Sequence, residues 1–183
     1  MNSIPIQIQL PKFQVARVWI NALPLVAVSG NSSLTKSIEN GEATSYIVNS
    51  AAIEWLVPLG PRIAYGLLGG RFIPSEQAPL VLDVVTSTSD AGQYSETLAS
   101  KVSEDARIGL PMEYGKVVFN AAADALSRSR HPLSGQIIID HAVHGLVGSS
   151  PVMFERLASA LIQIIGSDVA PERSTIERIL VWR

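Results

Sequence analysis

Cysteine is absent from the 183 residues. With it go disulfide cross-links, thiolate nucleophiles, zinc ribbons and iron–sulfur clusters. No apolar run approaches the ~20 residues that a membrane-crossing helix needs. The longest candidates are interrupted by Pro24, Pro58 and Gly60, so no membrane partner is expected. Charge is sparse: 16% of residues are Asp, Glu, Lys or Arg, and 14 basic against 16 acidic side chains leave a formal net charge of −2. That balance argues against non-specific nucleic-acid binding over the whole surface, which takes an excess of Lys and Arg, and no DNA partner is expected. So few charges give a small polar surface, part of which a homodimer would cover. The opening Met1-Asn2-Ser3-Ile4-Pro5 has neither a basic n-region nor a long apolar h-region. It reads as no secretory signal, and the expected location is cytoplasmic.

What the chain has in quantity is apolar side chains, 47% of the total, enough for a core and too many for wholesale disorder. Its length suits one domain over 1–183, with a β-rich 1–72 and a 73–183 region as the alternative division. Ile4, Ile6, Ile8 and Leu10 alternate with Pro5, Gln7, Gln9 and Pro11, a period of two whose prolines confine it to an edge strand. Phe13 to Ile20 is a second strand. Ser32 to Gly41 is polar, ends in Asn40-Gly41, and predicts a turn or loop. Ala43 to Asn49 predicts a strand, Ala51 to Val57 is ambiguous, and the glycine-rich Gly66 to Arg71 predicts a loop lasting to Pro79. Leu80 to Thr86 is the most strand-like segment, Ser87 to Gly92 a turn, and Tyr94 to Val102 a short helix.

From Met112, the apolar positions Tyr114, Val117, Val118, Ala121 and Ala125 recur at helical spacing behind Pro111, up to Ser127. Gln136 to Val147 reads as a strand. Ser150 is a natural N-cap and Pro151 a natural first helical residue. The helix they open carries the stripe Phe154, Leu157, Ala158, Leu161, Ile162 and Ile165, with Gly166 as its stop. Thr175 to Trp182 reads as a strand or a short helix, the strand being favoured. The expected class is α+β: a two-layer α/β sandwich, two helices on one face of a mixed sheet, with a β-rich N-terminal half.

Four features between Gly69 and Ile165 recur together elsewhere. Gly69-Gly70-Arg71 precedes a strand; Gly109-Leu110-Pro111-Met112-Glu113-Tyr114 opens the first helix; a strand ends in the His144-to-Gly148 loop; and Ser149-Ser150 stands ahead of Phe154 at the start of the second helix. This stretch resembles domain IV of elongation factor G and its relatives, including the tetracycline-resistance ribosomal protection proteins. The resemblance implies a ribosomal protein S5 domain 2-like fold in the C-terminal half. It also implies a left-handed β-α-β crossover and RNA contact at the tip carrying His144. The chain departs from the pattern at Gly148, where the family has Asp, and by one extra residue between His144 and Ser149. No Gly-x-x-x-x-Gly-Lys-[Ser/Thr] occurs, so no GTPase loop accompanies it.

Asp140, His141 and His144 form the sole acid–histidine cluster. On a strand, positions three apart face opposite ways, so a shared metal is not expected. Ser149 and Ser150 sit beside a histidine but lack the second glycine of Gly-x-Ser-x-Gly, which favours a helix cap over a nucleophile. Gly66 to Arg71 lacks the lysine of a phosphate loop. Arg128, Arg130 and His131, with the distant Arg71 and Lys101, make either a small basic rim or a solvated helix end. Glu104 and Asp105 are adjacent and are assigned to solvent; Trp19, Trp55 and Trp182 are assigned to the core.

The expected function is a non-enzymatic binding module that contacts RNA, the ribosome or a protein partner. Its binding residues would be Gly70, Arg71, Arg128, Arg130, His144, Ser149 and Ser150, with the Gly70-Arg71 and His144–Ser149 loops side by side. No catalytic residue, metal or cofactor is implied. The alternatives are a hydrolase-like enzyme with a site among Asp140, His144 and Ser149, and a structural subunit of a homo-oligomer.

Overall fold

The computed structural model describes residues 4–30, 32–39, 47–76, 79–87, 92–102, 105–129, 133–165 and 167–181. The strands are β1 (Ile6–Leu10), β2 (Gln14–Ile20), β3 (Ser32–Ile38), β4 (Ser50–Leu59), β5 (Arg62–Pro74), β6 (Leu80–Thr86), β7 (Ala106–Ile108) and β8 (Gly135–Gly145). The helices are α1 (Met112–Ser127), α2 (Pro151–Ile164) and α3 (Arg173–Ile179). The chain is mixed α+β. All eight strands join one sheet in the order β1-β2-β4-β5-β8-β6-β3, with β7 against the far end of β8. Every pairing is antiparallel except β6 with β8.

Both long helices lie on one face. α1 packs over β6 and β3, α2 over β5 and β4, and the two pack on each other. Beneath them Ile53, Leu68, Leu82, Val118, Ile137, Phe154 and Leu161 form the main core. Ser150 caps α2, its Oγ accepting from Met153 N, with Pro151 in the first turn. The predicted stripe of α2 is buried throughout. On the opposite face Trp19, Ala52, Leu56, Tyr65, Leu67 and Val143 form a second core. Segments 22–28, 92–102 and 105–108 cover that face, the second of them carrying a 3-10 helix over Leu98–Val102.

Several expectations need correction. Ser32 to Ile38 is not a loop but an edge strand paired with β6; its polar side chains face water and only Ile38 is fully buried. Residues 47–49 are not strand, and 43–46 lie outside the described residues. The glycine-rich stretch is the middle of β5, not a loop to Pro79. A Cβ on Gly66 would stand 2.8 Å from Leu157 Cδ1 of α2, and one on Gly70 only 2.5 Å from the Ile138 carbonyl of β8. Those glycines are there because neighbouring elements approach closely. The strand after α1 ends at Gly145, and the short helix is 3-10, over Leu98–Val102. The C-terminal segment is helical, not a strand: Ile176 and Leu180, one helical turn apart, are both buried. Asn40-Gly41, 88–91, Glu104, Arg130, His131, Gly166, Trp182 and the side chain of Lys101 lie outside the described residues.

Candidate functional site

Of the residues that carry the elongation-factor resemblance, Gly109, Tyr114, His144, Ser149 and Phe154 meet at one end of the helical face. His144 is opposite Gly66 in the sheet and points under α1. Its Nδ1 lies 3.1 Å from the Gly109 carbonyl oxygen; a carbonyl only accepts, so Nδ1 carries the hydrogen. The Tyr114 ring is tilted over His144, centroids 6.3 Å apart, and stacks on Phe154 at 4.8 Å. Burial, and then the charge of neighbouring Glu113, raise the Tyr114 phenol above its ordinary value. The Ser149 hydroxyl donates to the Tyr65 carbonyl at 2.7 Å and accepts from Gly145 N at 2.8 Å. It is a clasp closing the loop after β8, its partners both backbone groups. Between its ends Leu146 and Val147 stand out, 61% and 87% exposed.

Arg71 and Asp140 are elsewhere. Gly69 pairs with His141 but Gly70 with Ile139, so Asp140 is the extra residue of a β-bulge. Its carboxylate takes Arg71 on one oxygen and His141 Nδ1 on the other, each at 2.7 Å. Gly69, beside His141, faces Ala52 of the second core, so this trio is on the face away from the helices. His141 and His144 thus face opposite ways, as the strand period requires.

Arg71 is opposite Ile138, six residues from His144 along β8, about 20 Å of strand. The Gly70-Arg71 and His144–Ser149 segments are therefore not side by side. Gly-Gly-Arg is inside a strand, where the sheet fixes its distance from the loop. Arg128 is the exposed C-cap of α1, its Nε donating to the Asp124 carbonyl. Asp140, His144 and Ser149 do not converge on a cleft.

No family model, curated protein or solved structure matches this chain.

A further cluster escaped the sequence reading. Glu54 of β4 is fully buried and paired with Arg17 of β2. Its Oε1 accepts from the Tyr65 hydroxyl at 2.9 Å, the Thr97 hydroxyl at 2.7 Å and Leu98 N at 2.8 Å. Arg17 also reaches the Glu96 carbonyl and lies over the Trp19 ring, 5.5 Å from its centroid. Burial first, and then the Glu54 charge, push the Tyr65 phenol well above 10.0 and raise that of Tyr94. One sequence signal pointed here: Glu54 is the lone charge in Ala51 to Val57, and a charge inside an apolar strand needs partners. Among the described residues no group of three or more His, Asp or Glu side chains is placed to hold a metal.

Proposed function

We propose that the chain is a non-enzymatic binding module built on an elongation factor G domain IV-like core, and that it docks on a protein partner through the loop 144–150. The observation carrying the reading is the loop itself: Leu146 and Val147 are exposed on a turn that the Ser149 hydroxyl clasps to Tyr65. A rigid apolar tip loses little entropy on docking. The loop carries no Lys or Arg, which favours a protein over RNA as its partner.

Two features support the fold assignment. Gly109, Tyr114, His144, Ser149 and Phe154, which carry the resemblance, are neighbours in space. The second is the sense of the β6–α1–β8 connection between parallel neighbours. View the helical face with β8 running upward. An L-residue on an upward strand whose side chain faces the viewer directs its peptide groups to the right, and one on a downward strand to the left. Ala142 of β8 faces the helices, and its carbonyl accepts from Gly109 N, on the β7 and β6 side. Phe72 of the downward β5 faces them too, and its N–H meets the Asn49 carbonyl on the β4 side. Both directions put β6 to the right of β8, so the crossover moves left. A left-handed crossover opposes the hand of ≈98% of such connections.

The test is co-sedimentation with ribosomes and cross-linking in cell extract, comparing the wild type with Val147→Asp, Arg71→Ala and His144→Ala at low and high salt. Protein docking predicts association lost in Val147→Asp, kept in Arg71→Ala, and little changed by salt. Steep salt dependence and loss with Arg71→Ala or His144→Ala would replace the protein partner with RNA. No association under any condition would overturn the binding reading.

A further inference from the structure

We propose that a second site, on the sheet face away from the helices, binds a small amphipathic amine, with an apolar body and a cationic head. The site is independent of the loop 144–150 and of the elongation-factor reading.

The observation is a cavity of about 480 Å³ over the Arg17–Trp19 end of β2. Three chain segments wall it: Ile4-Pro5 ahead of β1, Leu23-Pro24-Leu25 after β2, and Gln93 to Glu96 ahead of the 3-10 helix. That volume is within the roughly 300–1,000 Å³ of small-molecule sites. Its walls mix apolar side chains with polar ones, the polar ones coming from Arg17 and from Gln93 to Glu96.

The cavity is built rather than incidental. Glu54 accepts from Thr97 and Leu98 N and so ties the 93–98 segment to the sheet. Tyr94 N donates to the Ala106 carbonyl, and Gln93 bridges to Arg107. Arg17 is held from both sides, by the Glu54 carboxylate and the Glu96 carbonyl. The floor and one wall are therefore fixed before any ligand arrives, which lowers the cost of binding.

Charge selects the ligand. The Arg17 guanidinium is already paired with Glu54 and stacked on Trp19, which weakens its pull on an anion. The Glu96 carboxylate makes no ion pair among the described residues. It is the one acidic side chain among the residues that line the cavity, and it lies close enough to Tyr94 to act on its phenol. A carboxylate beside the Tyr94 ring suits an ammonium group, while Leu23, Pro24 and Leu25 suit an apolar body.

The test uses three probes of one size and different charge: 2-phenylethylamine, 2-phenylethanol and 3-phenylpropionate. Each is titrated at pH 7 into the ¹⁵N-labelled full chain, and the shifts of the Trp19 indole N–H and of the 93–96 amides are followed. The amine should bind saturably and about tenfold more tightly than the carboxylate. Glu96→Gln should reduce the amine to the level of the alcohol. Ser95→Phe, an exposed position filled across the mouth, should abolish all three while the signals of 144–150 stay in place. No saturable shift with any probe would overturn the site, as would binding that survives Ser95→Phe. Carboxylate binding as tight as that of the amine would overturn the assigned ligand class.

Discussion

Arg17 and Glu54 are register partners on β2 and β4, and their side chains pair over the sheet face opposite the two long helices. Glu54 is completely buried there, on a strand that is otherwise apolar. A buried carboxylate survives only when its oxygens are saturated, and this one has the Arg17 guanidinium, two hydroxyls and one peptide N–H.

Glu54→Ala is expected to destabilise the protein by about 3–5 kcal/mol, because four donors lose their acceptor at once. Arg17→Met alone, which strands the carboxylate, should also be costly. The double variant Arg17→Met/Glu54→Ala should be more stable than the two single losses predict when added. Urea denaturation of the four proteins checks this; simple additivity would remove the coupling.

Stability should fall as pH rises above 10. The Tyr65 phenol is raised well above its ordinary 10.0 in the folded protein, by burial first and by Glu54 second. In the unfolded chain it ionises near that ordinary value. Above pH 10 the native state therefore binds more protons than the unfolded state, and unfolding becomes easier with each step in pH. Tyr94 adds to the same slope. Tyr65→Phe should lower stability at pH 7 by about 1–2 kcal/mol through lost hydrogen bonds and flatten the decline above pH 10. Thermal melts of both proteins from pH 8 to 11 read this directly.

Gly70→Ala should cost more than Gly66→Ala. The new methyl at position 70 meets the Ile138 carbonyl, which is backbone held by the sheet, whereas at 66 it meets the Leu157 side-chain end, which can turn away. Overpacking of this kind costs about 1–3 kcal/mol, with Gly70 at the upper end and Gly66 at the lower. Equal losses in denaturant midpoints would mean that α2 is as rigid against β5 as β8 is.

The two adjacent serines should behave differently. Ser150→Ala removes a helix cap, worth about 1 kcal/mol. Ser149→Ala removes two hydrogen bonds that hold the ends of the exposed loop, to Gly145 N and the Tyr65 carbonyl. It should open the loop locally as well as lower global stability. Amide exchange at Leu146 and Val147 should accelerate in Ser149→Ala and stay near wild type in Ser150→Ala.

The helices were legible before any coordinates because their signal is local. The α2 stripe, its serine cap and its first-turn proline lie within sixteen consecutive residues, Ser150 to Ile165, and the α1 spacing is equally compact. β3 was not legible: an edge strand with one wet face has the same polar composition as a loop. Nor was β5, since glycine marks turns and tight packing alike. The C-terminal helix was missed because its isoleucine and valine favour strands, while the burial of Ile176 and Leu180 against the core overrides that preference.

By itself the sequence determined the class of the protein, two amphipathic helices over a mixed sheet, because periodicity and capping act within a few residues. The tertiary structure alone decided which distant side chains meet. It carried Arg71 away from the His144 loop and brought Arg17, Glu54, Tyr65 and Thr97 into one buried cluster. Those outcomes depend on the register and order of strands far apart in the chain, and register is set by the packing of the whole sheet.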